Sequence, residues 1–382
     1  MENSVREIML GFARRTGLEP PASPSRRYLW TDAFAVCNFL GLFVEKNDDE
    51  ALRLALQLVD ETHAVLGRHR PDATHRGWLS GLDDEYGAEH PTLGGLRIGK
   101  NLPERRPGEP FDAELEWERD GQYFHYLTKW VHALDSVSRV TKDPNPRRWA
   151  IELARSSHDC FAVRDAAGTP MGFHWKMRVD RSEPLVHSMG QHDPLDAFMT
   201  YSRLQAGNDS TEQVDLSREL RDAAQLCVGK NWYTDDALGI GGLLTDAYAL
   251  ARMMVAGITN EPVLLDAILE AAIAGLETFA GSQLLERPNA FRLPFREFGL
   301  SIGLNAAARL QTLVQAEAAS FKHMDRLPSS LSALARFSGI PSRINSFWLE
   351  PENRGSTNWS GHREINEVML ATSLAPYGYL EI

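Results

Sequence analysis

The sequence predicts an all-α fold built from about six helical hairpins. Apolar residues recur at i, i+3, i+4 and i+7 over most of the chain, and very few segments alternate apolar and polar residues as strands do. The connections alternate as well, because short polar turns at 46–49 and 259–261 join some neighbouring helices while longer, aromatic-rich segments join the others. This rhythm is typical of stacked helical hairpins.

Each helix of the series is predicted from its apolar stripe. In the third helix the stripe runs through Leu52, Val59 and Leu66, and in the fifth the Asn145-Pro146 pair favours a helix start. The twelve predicted helices cover residues of about 2–16, 30–45, 50–66, 121–139, 145–161, 193–206, 213–228, 240–257, 261–280, 295–318, 328–338 and 361–374.

We predict that residues 1–382 form one domain, interrupted by two stretches without the helical pattern. The first, at about 68–114, is rich in Gly, Pro, Arg and His, and loops of this length in compact domains are commonly functional. We therefore interpret it as a long insertion whose Arg97 and Lys100 face a substrate. In the second, residues 171–179 alternate in polarity after Gly168, which predicts a strand of a small β-hairpin.

Composition and charge exclude several classes of protein. The formal net charge of -12 is spread along the chain, which disfavours nucleic acid as a partner. No run of about 18 apolar residues occurs, so we expect no membrane span, and the amphipathic N-terminus does not resemble a signal peptide. Cys37, Cys160 and Cys227 form no CxxC pair, which indicates reduced thiols in a cytoplasmic protein.

The even-numbered helices differ from the odd-numbered ones, and we interpret them as an inner ring inside an outer ring. Each even-numbered helix begins with charged residues, whereas the odd-numbered helices carry regular amphipathic stripes. Several of the even-numbered helices also contain small residues, among them Gly241 and Gly299, which allow close packing of helices. The starts of the predicted inner helices lie at 29–32, 116–123, 191–194, 235–239, 295–297 and 361–364.

This alternation of twelve helices over the whole chain resembles the (α/α)6 toroid of six-hairpin glycosidases, several polysaccharide lyases and the N-acylglucosamine 2-epimerase family. The segments 190–196 and 361–364, with His192 and His362, resemble the epimerases' use of His and Glu at inner-helix starts. The resemblance implies an active-site cleft at one end of the inner helices. It also implies a carbohydrate-active enzyme with a sugar or small oligosaccharide as substrate.

The first hypothesis for the reaction is glycoside hydrolysis, which needs two carboxyl groups that face each other across the scissile bond. Asp32, Glu118 and Asp120 are the candidates for acid and base, and Asp193 is a further one. On an extended segment Glu116 and Glu118 would point to the same side. Trp117 would then point to the other side.

The alternative is epimerisation or isomerisation of a sugar, in which a neutral histidine removes a proton from carbon. His192 and His362 are the candidates for this step. A non-catalytic binding or interaction protein, and a cyclase or transferase with an apolar substrate, are further alternatives. We predict no cofactor and no metal, since neither HExxH nor closely spaced Cys and His occurs. The sequence does not indicate an oligomeric state.

Residues at the helix starts and in the neighbouring loops are the candidates for substrate binding, by ring stacking or by hydrogen bonds. They are Trp30, Arg97, Trp117, Tyr123, His125, His187, Arg296, Glu297, Trp359 and Glu364.

Overall fold

A computed structural model describes residues 2–22, 25–207 and 215–382. The chain divides into two compact units. The N-terminal unit is Ala13–Val228 together with Ile382, and the C-terminal unit is Gly229–Glu381 together with the start of the chain as far as Phe12. The first helix, α1 (Glu2–Arg15), therefore contributes residues to both units.

The N-terminal unit contains eight further helices and five short strands among its described residues. The helices are α2 (Leu29–Lys46), α3 (Asp49–Leu66), α4 (Asp84–Glu89), α5 (Ala113–Glu118), α6 (Phe124–Thr141), α7 (Pro144–Phe161), α8 (Asp193–Ala206) and α9 (Ser217–Cys227). The strands are β1 (Gln122–Tyr123), β2 (Ala162–Arg164), β3 (Pro170–Phe173), β4 (Lys176–Met177) and β5 (Pro184–Val186). Strands β1, β4 and β5 form one antiparallel sheet, and β2 pairs with β3 in another.

Helices α2, α6 and α8 pack side by side, while α3, α7 and α9 flank them. The difference in position follows from the sequence of each helix. In α2 every residue from Leu29 to Leu42 is buried, as expected for a helix that is apolar all round. Helix α3 instead buries a single stripe that includes Leu54, Leu58 and Leu66. The inner and outer positions predicted for these helices are confirmed.

The C-terminal unit repeats this arrangement, with α10, α12 and α17 side by side and α11, α13 and α14 flanking them. Its helices are α10 (Ala237–Val255), α11 (Pro262–Gly281), α12 (Pro294–Ala316), α13 (Leu327–Ala335), α14 (Ile340–Leu349), α15 (Pro351–Arg354), α16 (Thr357–Ser360), α17 (Arg363–Leu374) and α18 (Tyr377–Leu380). Short 3-10 helices lie at Leu284–Glu286, Asn289–Phe291 and Ala318–Phe321. Each unit thus contains three of the six inner helices expected of an (α/α)6 toroid, and the all-α class is confirmed.

Three glycines set the distance between α10 and α12. A Cβ atom on Gly241 would lie 2.0 Å from the carbonyl oxygen of Gly299, and one on Gly303 would lie 2.4 Å from the carbonyl oxygen of Gly241. The two backbones therefore touch at this level. The prediction that small residues allow close approach of inner helices is confirmed here.

Helix α10 is also the one helix among the described residues that is long and apolar enough to cross a membrane, judged by length and composition. Within the C-terminal unit, however, 61% of its apolar window is buried. Its apolar side chains are therefore accounted for by packing against α11 and α12.

The twelve predicted helices all occur, with most ends within three residues of the prediction. The predicted start at 213 lies outside the described residues, and α9 begins at Ser217. Helix α14 was not predicted. The single strand predicted at 171–179 is in fact two strands, β3 and β4, which belong to different sheets.

We expect Gly241→Ala to lower the free energy of unfolding by about 3 kcal/mol, because the added methyl group overlaps backbone atoms that cannot move aside. Gly242→Ala is the matched control in the same helix, since nothing lies within 4 Å of its Cβ position. It should raise the free energy of unfolding by about 1 kcal/mol through helix propensity. Urea unfolding followed by circular dichroism measures both changes, and equal stability of the two variants would contradict the packing described here.

Candidate active site

Aromatic rings gather at the starts of α2 and α6 in the N-terminal unit. The Tyr123 ring stacks on Trp175 with 5.2 Å between centroids and on His125 with 5.5 Å. Trp117 meets the edge of Trp175 at 4.6 Å. We call this set the aromatic cluster, and its members are Tyr28, Trp30, Trp117, Tyr123, His125, Tyr126 and Trp175.

Local structure explains why these rings meet. Strand β1 pairs with β4 so that Tyr123 lies opposite Lys176, which brings the preceding residue, Trp175, beside the start of α6. The residue before α2, Tyr28, donates or accepts a hydrogen bond between its hydroxyl and that of Tyr126, at 2.7 Å. The α2 and α6 starts are thus joined by side chains that belong to the cluster.

The cluster runs from the surface into the unit. Trp117 is 51% exposed, whereas Trp30 is 8% and Tyr123 2% exposed. His125, Tyr126 and Trp175 are intermediate. The rings therefore form a partly open aromatic surface and not a closed core.

The buried Lys176 side chain lies next to the Tyr123 ring of the aromatic cluster. The Lys176 ammonium donates to the Glu116 carboxylate at 2.9 Å and lies 5.5 Å from the centre of the Tyr123 ring. Glu116 also accepts from Arg105 at 3.0 Å. The segment 113–118 is a short helix, so Glu116 points inward while Trp117 and Glu118 are exposed. The expectation that Glu116 and Glu118 share one side, opposite Trp117, is wrong for this reason.

Burial controls the protonation of the tyrosines and of His125. Desolvation raises the pKa of Tyr28 to about 12 and also raises that of Tyr123. Desolvation lowers the pKa of His125 to about 4, so this imidazole is neutral at pH 7. A neutral imidazole beside aromatic rings can accept a proton.

An ion pair lies one helical turn beyond His125. Lys129 on α6 donates to Asp196 on α8 at 2.9 Å. His192, directly before α8, is one turn before Asp196, and the Asp196 amide donates to the His192 carbonyl oxygen at 3.0 Å. The starts of α6 and α8, each with a histidine, are therefore joined by this pair.

Three of the four predicted catalytic carboxylates have internal partners. Asp32 is buried and accepts from the Tyr28 amide at 2.9 Å, and burial raises its pKa to about 6. Asp193 is buried and accepts from the Gly190 amide at 2.8 Å. Both arrangements satisfy backbone donors near helix starts.

Asp120 is the third of these carboxylates with internal partners, and it is fully buried. It accepts from Arg97 at 2.6 Å and from the amides of Gly99 and Lys100 at 3.0 and 3.3 Å. Arg97 also donates to the carbonyl oxygens of Arg68 and Val65, at 2.7 and 2.6 Å. Arg97 therefore anchors the long insertion instead of facing a substrate.

Glu118 is the remaining carboxylate, and it is exposed next to Trp117. Its charge acts on the hydroxyl groups of Tyr28 and Tyr123. His187 is exposed as well, and its ring lies 5.5 Å from that of His174.

The other predicted site residues belong to the C-terminal unit, where two of the helix starts meet at a polar edge. Arg296 on α12 pairs with Asp236, the N-cap of α10, at 2.5 Å. The ring of His362, before α17, lies 6.1 Å from Phe295. His362 is exposed and Glu364 is intermediate.

Glu297 and Trp359 have structural contacts inside the C-terminal unit. Arg292 donates to both carboxylate oxygens of Glu297, at 2.8 and 2.6 Å, and the Trp348 indole donates to Glu297 at 2.9 Å. Trp359 stacks on Trp348 with 5.7 Å between centroids and is 3% exposed. These contacts leave neither side chain open to a ligand.

In the described ranges no three His, Cys, Asp or Glu side chains form a group that could hold a metal ion. Cys37, Cys160 and Cys227 form no disulfide bond, and Cys37 and Cys227 are buried.

No protein-family profile or curated protein matches this chain. Several solved structures are similar to it, among them the following three. A sugar epimerase from a ruminal bacterium is 11% identical, with 91% of this chain and 87% of that chain covered and a TM-score of 0.46. The cellobiose 2-epimerase of Spirochaeta thermophila DSM 6192 is 14% identical over 91% and 86%, with a TM-score of 0.48. The cellobiose 2-epimerase of Bacillus thermoamylovorans B4167 is 10% identical over 91% and 88%, with a TM-score of 0.43.

We expect Asp120→Asn to lower the free energy of unfolding by about 3 kcal/mol, because it leaves the Arg97 charge buried without a counter-charge. Glu19→Gln removes one partner of the exposed Arg53–Glu19 ion pair, so it is the control and should cost about 0–1 kcal/mol. Urea unfolding measures both. A structural role for Asp120 would be refuted by wild-type stability of Asp120→Asn.

Proposed function

We propose that the chain is a sugar epimerase or isomerase, and that the aromatic cluster of the N-terminal unit binds the sugar. The observation that carries the proposal is the partly open surface of Trp117 and Trp175, which packs on the buried Tyr123 ring next to a neutral histidine. Sugar rings stack on aromatic faces, and removal of a proton from carbon needs a neutral base. We base this on the contacts and not on the three solved structures, whose TM-scores are below 0.5.

The carboxylates favour proton transfer over hydrolysis. Hydrolysis needs two carboxyl groups across the bond, separated by roughly 5 Å or by 6.5–9.5 Å. Asp32, Asp120 and Asp193 are each buried and hydrogen-bonded inside the unit. Among the four predicted acids this leaves only Glu118 exposed, and one carboxylate cannot act as both acid and base on opposite sides.

Two histidines supply the pair of groups that epimerisation needs. His125 and His192 are at the starts of neighbouring inner helices, each one turn before a member of the Lys129–Asp196 ion pair. In the open-chain sugar, one imidazole removes the proton from the carbon beside the carbonyl group, which forms an enediolate. The imidazolium on the other side returns a proton to that carbon, so its configuration is inverted while every other bond is retained.

The reaction class can be tested by incubation with a panel of reducing mono- and disaccharides in D2O. We expect deuterium at the carbon beside the carbonyl group of an otherwise intact sugar, detected by NMR. Release of new reducing ends would establish hydrolysis instead, and the absence of both, with binding retained, would identify a binding protein.

His125→Gln and His192→Gln should each lower the exchange rate by about 10²–10⁴-fold, because each removes one proton-transfer group. The dissociation constant for the sugar should change by no more than a few fold. His323→Gln, at an exposed position of the C-terminal unit, is the control and should keep full activity. An exchange rate equal to that of the wild type in His125→Gln or His192→Gln would show that the substituted histidine does not transfer the proton.

Trp117→Ala should raise the dissociation constant for the sugar about tenfold, which corresponds to the loss of one stacking contact of about 1.4 kcal/mol. Tyr86→Ala is the matched control in the same unit, because Tyr86 is 58% exposed and lies on α4. Titration followed by tryptophan fluorescence or calorimetry measures both. Equal affinity of the two variants would show that Trp117 does not contact the sugar.

A further inference from the structure

We propose that the Lys129–Asp196 ion pair is a positioning device that holds two opposite charges beside His125 and so determines when this imidazole takes up a proton. The proposal concerns the same site as the proposed function and rests on it for its catalytic meaning. Its test does not require a sugar.

The first support is the placement of the pair. Lys129 and Asp196 are 2.9 Å apart and are 17% and 11% exposed, so little water screens their charges. His125 and Lys129 occupy positions i and i+4 of α6, where Cβ atoms lie about 5–6 Å apart. Asp196 reaches the same place from α8. His125 therefore lies within a short distance of one positive and one negative charge.

The second support is the composition of the rest of the His125 environment. Tyr123 in β1, Trp30 in α2 and Trp175 before β4 present uncharged rings at 5.5, 6.1 and 6.2 Å, and Tyr126 on α6 does so at 4.7 Å. The charged groups that act on His125 are Asp196, which raises its pKa, and Lys129, which lowers it. Burial is the larger cause and lowers the pKa.

These contacts give the pair a function beyond joining two helices. If the ion pair only joined the two helices, it would affect His125 only through the position of α6. The loss of either partner would then change the His125 pKa in the same direction. A pair that acts by charge has two consequences of opposite sign. Removal of Asp196 leaves the positive charge of Lys129, which opposes protonation, whereas removal of Lys129 leaves the negative charge of Asp196, which favours it.

The test is the pKa of His125 in the full chain, measured by NMR of protein labelled at the histidine Cε1 carbon. The His125 signal is assigned as the one that His125→Gln removes. We expect Lys129→Met to raise the His125 pKa by about one unit and Asp196→Asn to lower it. Lys129→Arg keeps the positive charge, so it should change the His125 pKa by no more than about a third of the shift expected for Lys129→Met.

Opposite shifts in the two neutral variants support the proposal, and shifts of the same sign, or none, overturn it. Circular dichroism and thermal unfolding establish that each variant folds. If one variant does not fold, the sign of the other decides, because each has its own predicted direction. Failure of the proposed function is distinguishable, since the pKa shifts would then occur in a protein that exchanges no sugar proton.

Discussion

The buried ion pair between Arg97 and Asp120 is the interaction on which the N-terminal unit depends. Ile98 directly follows Arg97, and its amide donates to the Gly121 carbonyl oxygen at 2.8 Å while its carbonyl oxygen accepts from the Leu29 amide at 3.1 Å. The start of α2 and the segment that leads into α6 are thus tied to one short stretch of the insertion. Because Tyr28 and Tyr123 directly precede these helices, the ion pair also determines where the aromatic cluster forms.

Burial explains why the carboxylates at the inner-helix starts have structural hydrogen bonds, whereas a histidine there can accept a proton. Many residues at the starts of the inner helices are buried, so a carboxylate there enters a poorly solvated region and needs several donors. Asp32 and Asp120 in one unit, and Glu297 in the other, satisfy that need with backbone amides or arginine. A histidine meets the same constraint by remaining neutral, which leaves its ring nitrogen able to accept a proton.

Much of the fold could be predicted because helical periodicity is a local property of the sequence. Helix α14 escaped prediction since only Ile344 and Trp348 are buried along it, too few for a recognisable stripe. Trp117, Tyr123 and His125 were identifiable as aromatic residues near a helix start, and the structure brings them together. Lys129 and Asp196 could not be identified as site residues from the sequence, because they are 67 positions apart in the chain. The i, i+4 spacing from His125 to Lys129 was the one available signal.

The anchoring of the insertion through Arg97 has a kinetic consequence. Each of the three guanidinium nitrogens of Arg97 donates to an acceptor within the unit, and Arg70 adds a hydrogen bond to the Lys100 carbonyl oxygen at 2.7 Å. The entropy of ordering this segment is therefore lost during folding and not when a ligand arrives. If the aromatic cluster binds a sugar as proposed, association then requires no ordering of this segment, so its rate is governed by diffusion and orientation.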